Sequence, residues 1–125
     1  MSDQIKQAVM YGAGNIGRGF IGMLLSKSGY RVTFVYVAKP VVDALHQRGS
    51  YPVRILGSNA HEDITVEHVD AVDGTDAAAV AEAIVNADVM ATAVGANILP
   101  RISKNLALGI RMRKARGGKP LNILI

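Results

Sequence analysis

Gln7-Ala8-Val9-Met10-Tyr11-Gly12-Ala13-Gly14-Asn15-Ile16-Gly17 is the stretch whose reading decides the fold. Its first five residues are a short, mostly apolar run ending at a glycine cluster, the pattern of a buried parallel strand. From Asn15 the period changes to a helical one. Ile16, Phe20, Met23 and Leu24 fall on one stripe with Leu25 beside it, Lys27 stands in the last turn, and Gly29 is placed to cap the end. The glycines at 12, 14 and 17 have the spacing G-x-G-x-x-G, a weak pattern alone. Between a strand and a helix of one βαβ unit it becomes specific for a dinucleotide. Gly12 permits the tight turn, Gly14 lets the backbone approach a pyrophosphate, and Gly17 lets the helix pack closely on the strand. The N–H groups of Asn15, Ile16 and Gly17, with the helix dipole, are then the phosphate receptors.

Outward from this unit, strands and helices alternate. Arg31–Val37 is β-branched and aromatic and predicts a second strand. Pro40 suits the first turn of a helix carrying Val41, Val42 and Leu45, which ends by Gly49. Tyr51–Leu56 and His61–Val69 each predict a strand, with a turn at Gly57-Ser58-Asn59. Thr75 is a candidate cap for a helix through Ala77, Val80, Ala81 and Ile84. Asp88–Val94 predicts another strand. Asn97 to about Arg116 predicts a long amphipathic helix with Ile98, Ile102, Leu106 and Ile110 inward and Pro100 in its first turn. Gly117-Gly118 stops it, and Leu121–Ile125 predicts a last strand. The expected architecture is a doubly wound, Rossmann-type α/β domain, a mostly parallel sheet with helices on both faces, ordered 3-2-1-4-5.

The composition narrows the chemistry. With 125 residues the chain suffices for one core. No apolar run approaches the roughly 20 residues of a membrane span, and the polar start lacks a secretory signal, so a cytoplasmic protein is expected. There is no cysteine, which excludes disulfides and thiolate chemistry. The net charge of +4 has one source, Arg111, Arg113, Lys114, Arg116 and Lys119, and without those five positive charges the chain carries −1. No aromatic residue is interleaved among them, so they read as cations at a helix carboxyl end rather than a nucleic-acid patch. His61, Glu62, Asp63, Glu67 and His68 are the one group with metal-ligand chemistry. Their histidines lack the i, i+4 spacing of a helical zinc site, and the segment reads as a solvated hairpin with no metal.

Two further tests concern the nucleotide. A phosphate-binding loop of the ATPase type needs Lys and then Ser or Thr where Arg18 and Gly19 stand, which argues against ATP or GTP hydrolysis. The dinucleotide fingerprint also expects an acid about 20 residues on, at the end of the second strand, to hold the ribose hydroxyls. Tyr36 occupies that place, and no acid lies between Gly17 and Asp43. With Lys39 close by, NAD is expected with NADP left open.

The longer string Gly12-Ala13-Gly14-Asn15-Ile16-Gly17-Arg18-Gly19-Phe20-Ile21-Gly22 resembles the polyol-specific long-chain dehydrogenase/reductase family, on its mannitol-1-phosphate branch. Thr33-Phe34, Val42–Leu45, Ser50-Tyr51, Thr92–Gly95 and Pro120–Ile123 extend the likeness over essentially the whole chain. The resemblance implies NAD(H)-dependent interconversion of mannitol 1-phosphate and fructose 6-phosphate without a catalytic metal. It places Gly12, Ala13, Gly14, Asn15, Ile16, Gly17 and Arg18 at the cofactor phosphates, with Arg18 alternatively facing the C-terminal domain or a substrate phosphate. Tyr36 falls at the adenosine, where the family usually has Asp, and Thr92, Ala93, Val94 and Gly95 fall toward the sugar and nicotinamide. Family members are much longer, and their catalytic lysine, with its asparagine and histidine partners, lies in a helical C-terminal domain. The expectation is therefore a cofactor-binding domain over residues 1–125 without that domain, holding no catalytic residue and inactive alone. Alternatives are a free-standing nucleotide-sensing module and a methyltransferase-like domain. An exposed last strand, Leu121–Ile125, also predicts a homodimer.

Overall fold

The computed structural model describes residues 5–12, 17–56, 61–94 and 99–124. Within them β1 (Gln7–Tyr11) is followed by a π-helical turn (Gly17–Ile21) that runs into α1 (Gly22–Lys27). Then come β2 (Arg31–Tyr36), α2 (Lys39–Arg48), β3 (Ser50–Leu56), β4 (His61–Glu67), β5 (Val69–Asp73) and α3 (Ala77–Asn86). The last elements are β6 (Val89–Thr92), α4 (Leu99–Ala115) and β7 (Asn122–Leu124). β5, β2, β1, β6 and β7 form one parallel sheet in that order, which is the expected 3-2-1-4-5 arrangement. β3 and β4 pair separately as an antiparallel hairpin, from Ser50 opposite Glu67 to Leu56 opposite His61.

Strand alternation sends side chains to two covered faces, as a doubly wound sheet requires. Ala8, Met10, Val32, Phe34, Val69 and Ala71 face α2 and the hairpin, meeting Val42, Leu45, Tyr51 and Val66. Val9, Tyr11, Val35 and Met90 face α3 and α4, meeting Val80, Ile84 and Ile102. Phe34, Met10, Ile84 and Met90 are fully buried, each contributing about 1.5–3 kcal/mol of transfer free energy. The edge of the Tyr51 ring meets Phe34 at a centroid distance of 5.7 Å, which fixes the hairpin to the sheet.

Several expectations are corrected. The segment expected as one strand over His61–Val69 is two: His68 takes φ +60°, the chain leaves the hairpin there, and β5 joins the main sheet beside β2. α3 is capped by Asp76, which accepts from the Ala79 N–H at 3.1 Å, and not by Thr75. The described helical residues before α1, Gly17–Ile21, form a π turn, whose wider winding shifts every later side chain around the axis. Phe20 and Leu24 are consequently exposed, while Ile21, Met23 and Leu25 pack on the core. On α4, Ile102 is buried but Ile110 is 42% exposed. Ile16, Ile98 and the turn at Gly57-Ser58-Asn59 lie outside the described residues.

The basic segment holds a further difference. Arg113 is buried, and its guanidinium donates to the carbonyls of Ile84, Val85, Ala87 and Lys119. It closes the carboxyl end of the neighbouring helix α3 rather than that of its own helix.

Candidate functional site

From β1 the chain runs outward to β2 and β5, then returns to the other side of β1 through α3 and β6. The reversal puts the switch point of the sheet at the carboxyl ends of β1 and β6, the place where open α/β sheets bind ligands. Gly12 stands at that point with φ +111°, its N–H donating to Val35 O at 2.9 Å. A Cβ there would lie 2.6 Å from Ala93 O, so any side chain would strike the backbone leaving β6. Gly17 is as confined: a Cβ would overlap Gly12 O, with the Met10 side chain of β1 also in contact. Helix and strand thus touch backbone to backbone, as the spacing predicts. Gly22 extends the device, since its Cβ would meet Gly17 O at 2.5 Å and the Phe34 ring at 2.7 Å. The sequence reading assigned Gly22 no role; its place one turn after Gly17 was the available signal.

The β6 side of the switch point is tied down. Thr92 is buried beside Tyr11 in the ladder, and the Ala93 N–H donates to Tyr11 O at 2.9 Å. Val94 packs on the α3/α4 face. Ala13, Gly14, Asn15, Ile16 and Gly95 lie outside the described residues.

At the end of β2, Tyr36 is half-buried with its ring against the core. Its cross-strand neighbour is Asp73, the last residue of β5, so a carboxylate does stand at this rim, one strand away from the expected place. The Thr75 N–H (2.8 Å) and hydroxyl (2.7 Å) both donate to Asp73, holding its carboxyl below the ordinary carboxylate range, with Lys39 adding a smaller pull. Lys39 itself pairs with Asp43 at 3.3 Å. Asp73 is hidden in the sequence because β5 follows β4 after a single residue.

Arg18 lies in the π turn. Its carbonyl accepts from the Tyr51 hydroxyl at 2.7 Å, and burial pushes that phenol up to about 12. The side chain lines two adjoining clefts beside the hairpin, of about 340 and about 250 Å³. Of the polar hairpin segment, Asp63 is exposed and paired with Arg54 at 3.0 Å.

The sequence model of the mannitol dehydrogenase Rossmann domain family matches residues 6–125. The chain belongs to this family. Its relatives include the mannitol-1-phosphate 5-dehydrogenase of Brevibacillus brevis, 50% identical over 117 residues, covering 94% of this chain and 30% of that protein. The enzyme of the same name from Oceanobacillus iheyensis is 46% identical over 121 residues, covering 96% of this chain and 31% of that protein. The chain thus spans about 30% of the length of the curated relatives it matches. A solved structure from Burkholderia pseudomallei superposes with a TM-score of 0.53 at 23% identity, covering 94% of this chain and 47% of that one, a likeness of fold alone. For a mannitol dehydrogenase Rossmann domain, the crowding explains three glycines of the extended string: Gly12, Gly17 and Gly22 each mark a backbone-to-backbone or backbone-to-ring approach, while Gly19 faces open space.

Proposed function

We propose that this mannitol dehydrogenase Rossmann domain binds NAD(H) across the carboxyl ends of β1 and β6. It would serve an oxidoreductase interconverting mannitol 1-phosphate and fructose 6-phosphate, with the catalytic groups in a separate domain and no turnover by residues 1–125 alone. The observation that carries the reading is Gly12, held at φ +111° against the Ala93 carbonyl at the switch point of the sheet. The residues fit a dinucleotide: glycines clear the switch point of side chains, and a helical turn opens beyond it. The bound cofactor supplies hydride transfer.

In this reading Gly12, Ala13, Gly14, Asn15, Ile16 and Gly17 hold the pyrophosphate. Tyr36 lies along the adenosine, and Thr92–Gly95 flank the sugar and nicotinamide end. The preference for NAD over NADP is supported by Asp73 and Asp43, which bracket Lys39, so a 2′-phosphate at the end of β2 would meet carboxylates.

Parallel calorimetric titrations with NADH and NADPH test the proposal. NADH is expected to bind saturably and more tightly. Equal or tighter NADPH binding overturns the preference, and no binding of either at millimolar concentration overturns the cofactor reading.

A further inference from the structure

Helix α2 separates charges of opposite sign. On its β5 flank lie Asp43, paired with Lys39, and His46, whose Nδ1 is 2.6 Å from the Asp70 carboxylate. On its other flank Pro40, Val41, Ala44, Leu45 and Arg48 turn toward the π turn and β3, and with Arg18 and Ser50 they enclose a cleft of about 250 Å³. Among the described residues no carboxylate lines this cleft. The undescribed stretches 13–16, 57–60 and 95–98 contain no acidic residue, and Asp3 is the one acid outside the described residues. Arg18 Nε is shut off from solvent, yet among the described residues it has no hydrogen-bond partner. A buried, unpaired donor on a permanently charged group costs a large share of its desolvation energy. The neighbouring cation on Arg48 adds repulsion instead of relief. An anion in the cleft offsets that repulsion.

We infer that the cleft between the π turn, α2 and β3 is a binding site for a phosphate monoester, held by the Arg18 and Arg48 guanidinium groups with the Ser50 hydroxyl beside them. The chemistry is selective. A guanidinium presents a planar fork that matches phosphate oxygens, and a monoester carries close to two negative charges at neutral pH. Size agrees as well: about 250 Å³ falls below the roughly 300–1,000 Å³ of pockets that enclose drug-sized ligands. A small phosphorylated group is therefore favoured over half a dinucleotide. The inference stands apart from the dinucleotide reading, because the cleft lies along α2 rather than at the switch point between β1 and β6. A sugar phosphate and the 2′-phosphate of a nucleotide carry the same group, and the experiment separates them.

The test is an NMR titration of the isotope-labelled chain with inorganic phosphate, following the Arg18 Nε–H signal, identified by its loss in Arg18→Lys. A saturable shift at millimolar phosphate is expected, with no shift in sodium chloride of equal ionic strength. Arg48→Gln, a change at an exposed position in the last turn of α2, should weaken phosphate about tenfold while leaving the amide spectrum folded. A signal unmoved by phosphate, a shift reproduced by chloride, or an unchanged affinity in Arg48→Gln overturns the inference. Fructose 6-phosphate, NADPH and NADH are then titrated into both proteins. A loss in Arg48→Gln confined to fructose 6-phosphate assigns the group to a sugar phosphate, and one confined to NADPH assigns it to the cofactor. NADH binding without a phosphate response would remove the cleft and leave the proposed function intact; the reverse result would do the opposite.

Discussion

Arg113 and Arg116 lie one turn apart near the end of α4, and their surroundings give them different weights. The Arg113 guanidinium is buried, with Nη1 at 3.1 Å from Ile84 O and Val85 O, and Nε at 2.6 Å from Lys119 O. It satisfies carbonyls at the end of α3, sharing Ile84 O with the Ala87 N–H at 3.3 Å, and its charge faces the negative end of the α3 dipole. Arg116 reaches Glu82 at 2.8 Å, but both side chains are about half exposed. Arg113→Met keeps a long apolar stem while stripping the donors, and should lower stability by about 2–4 kcal/mol. Arg116→Met should cost less than about 1 kcal/mol. Urea unfolding of the two variants checks this, and equal midpoints would show that Arg113 does not hold α3. Both residues are plain in the sequence as basic positions at a helix end. Which helix each one serves depends on packing across α3 and α4, which no local pattern records.

At the scale of elements, α3 and α4 meet through Gly109. A Cβ at this position would lie 2.6 to 3.0 Å from three side-chain atoms of Ile84, which is fully buried and has no room to turn aside. Alanine would gain about 1 kcal/mol in helix propensity. The overlap should cost more, about 1–3 kcal/mol. Gly109→Ala is therefore expected to lower the thermal midpoint, and a raised midpoint would mean that the two helices slide apart without penalty.

The same scale shows where the sequence was readable. β1, β2, α2 and β6 followed from apolar period and from Gly49, whose φ of +65° ends α2 as a left-handed cap should. The glycine spacing also located the switch point of the sheet, because Gly12 and Gly17 each answer a backbone contact rather than a preference. β5 was hidden because it follows β4 after one residue, the left-handed His68; the shift of the buried positions from Val66 to Val69 and Ala71 was the available signal. Phe20 and Leu24 were misplaced because counting 3.6 residues per turn assumes an α-helix where the chain makes a π turn. Asp73 beside Tyr36 needed the strand order, since 37 positions separate them in the chain.

For the whole molecule, the two edges of the sheet differ. β5 is flanked by α2, whose His46 reaches across to Asp70. β7 pairs with β6 alone among the described residues, and beside it Ile110, Pro120, Leu121 and Ile123 line an open cleft of about 330 Å³ with Lys114 and Lys119 at its margin. An edge strand with no charged residue of its own favours pairing with a second copy. Residues 1–125 are expected to dimerise, with Ile123→Lys shifting them toward monomer. Light scattering across a concentration series checks both, and a monomer at the highest concentration would dismiss the edge as an interface.

The division of the core between two faces bears on the order in which a chain can complete itself. Apart from Ala91, the cluster under α2 and the hairpin draws its buried residues from positions 8 to 71. The cluster on the opposite face takes Val9, Tyr11 and Val35 from that same stretch but needs Val80, Ile84, Met90 and Ile102 to cover them. A chain leaving the ribosome amino end first can therefore close one side of its sheet early, while the other side stays uncovered until α3 and α4 have been made.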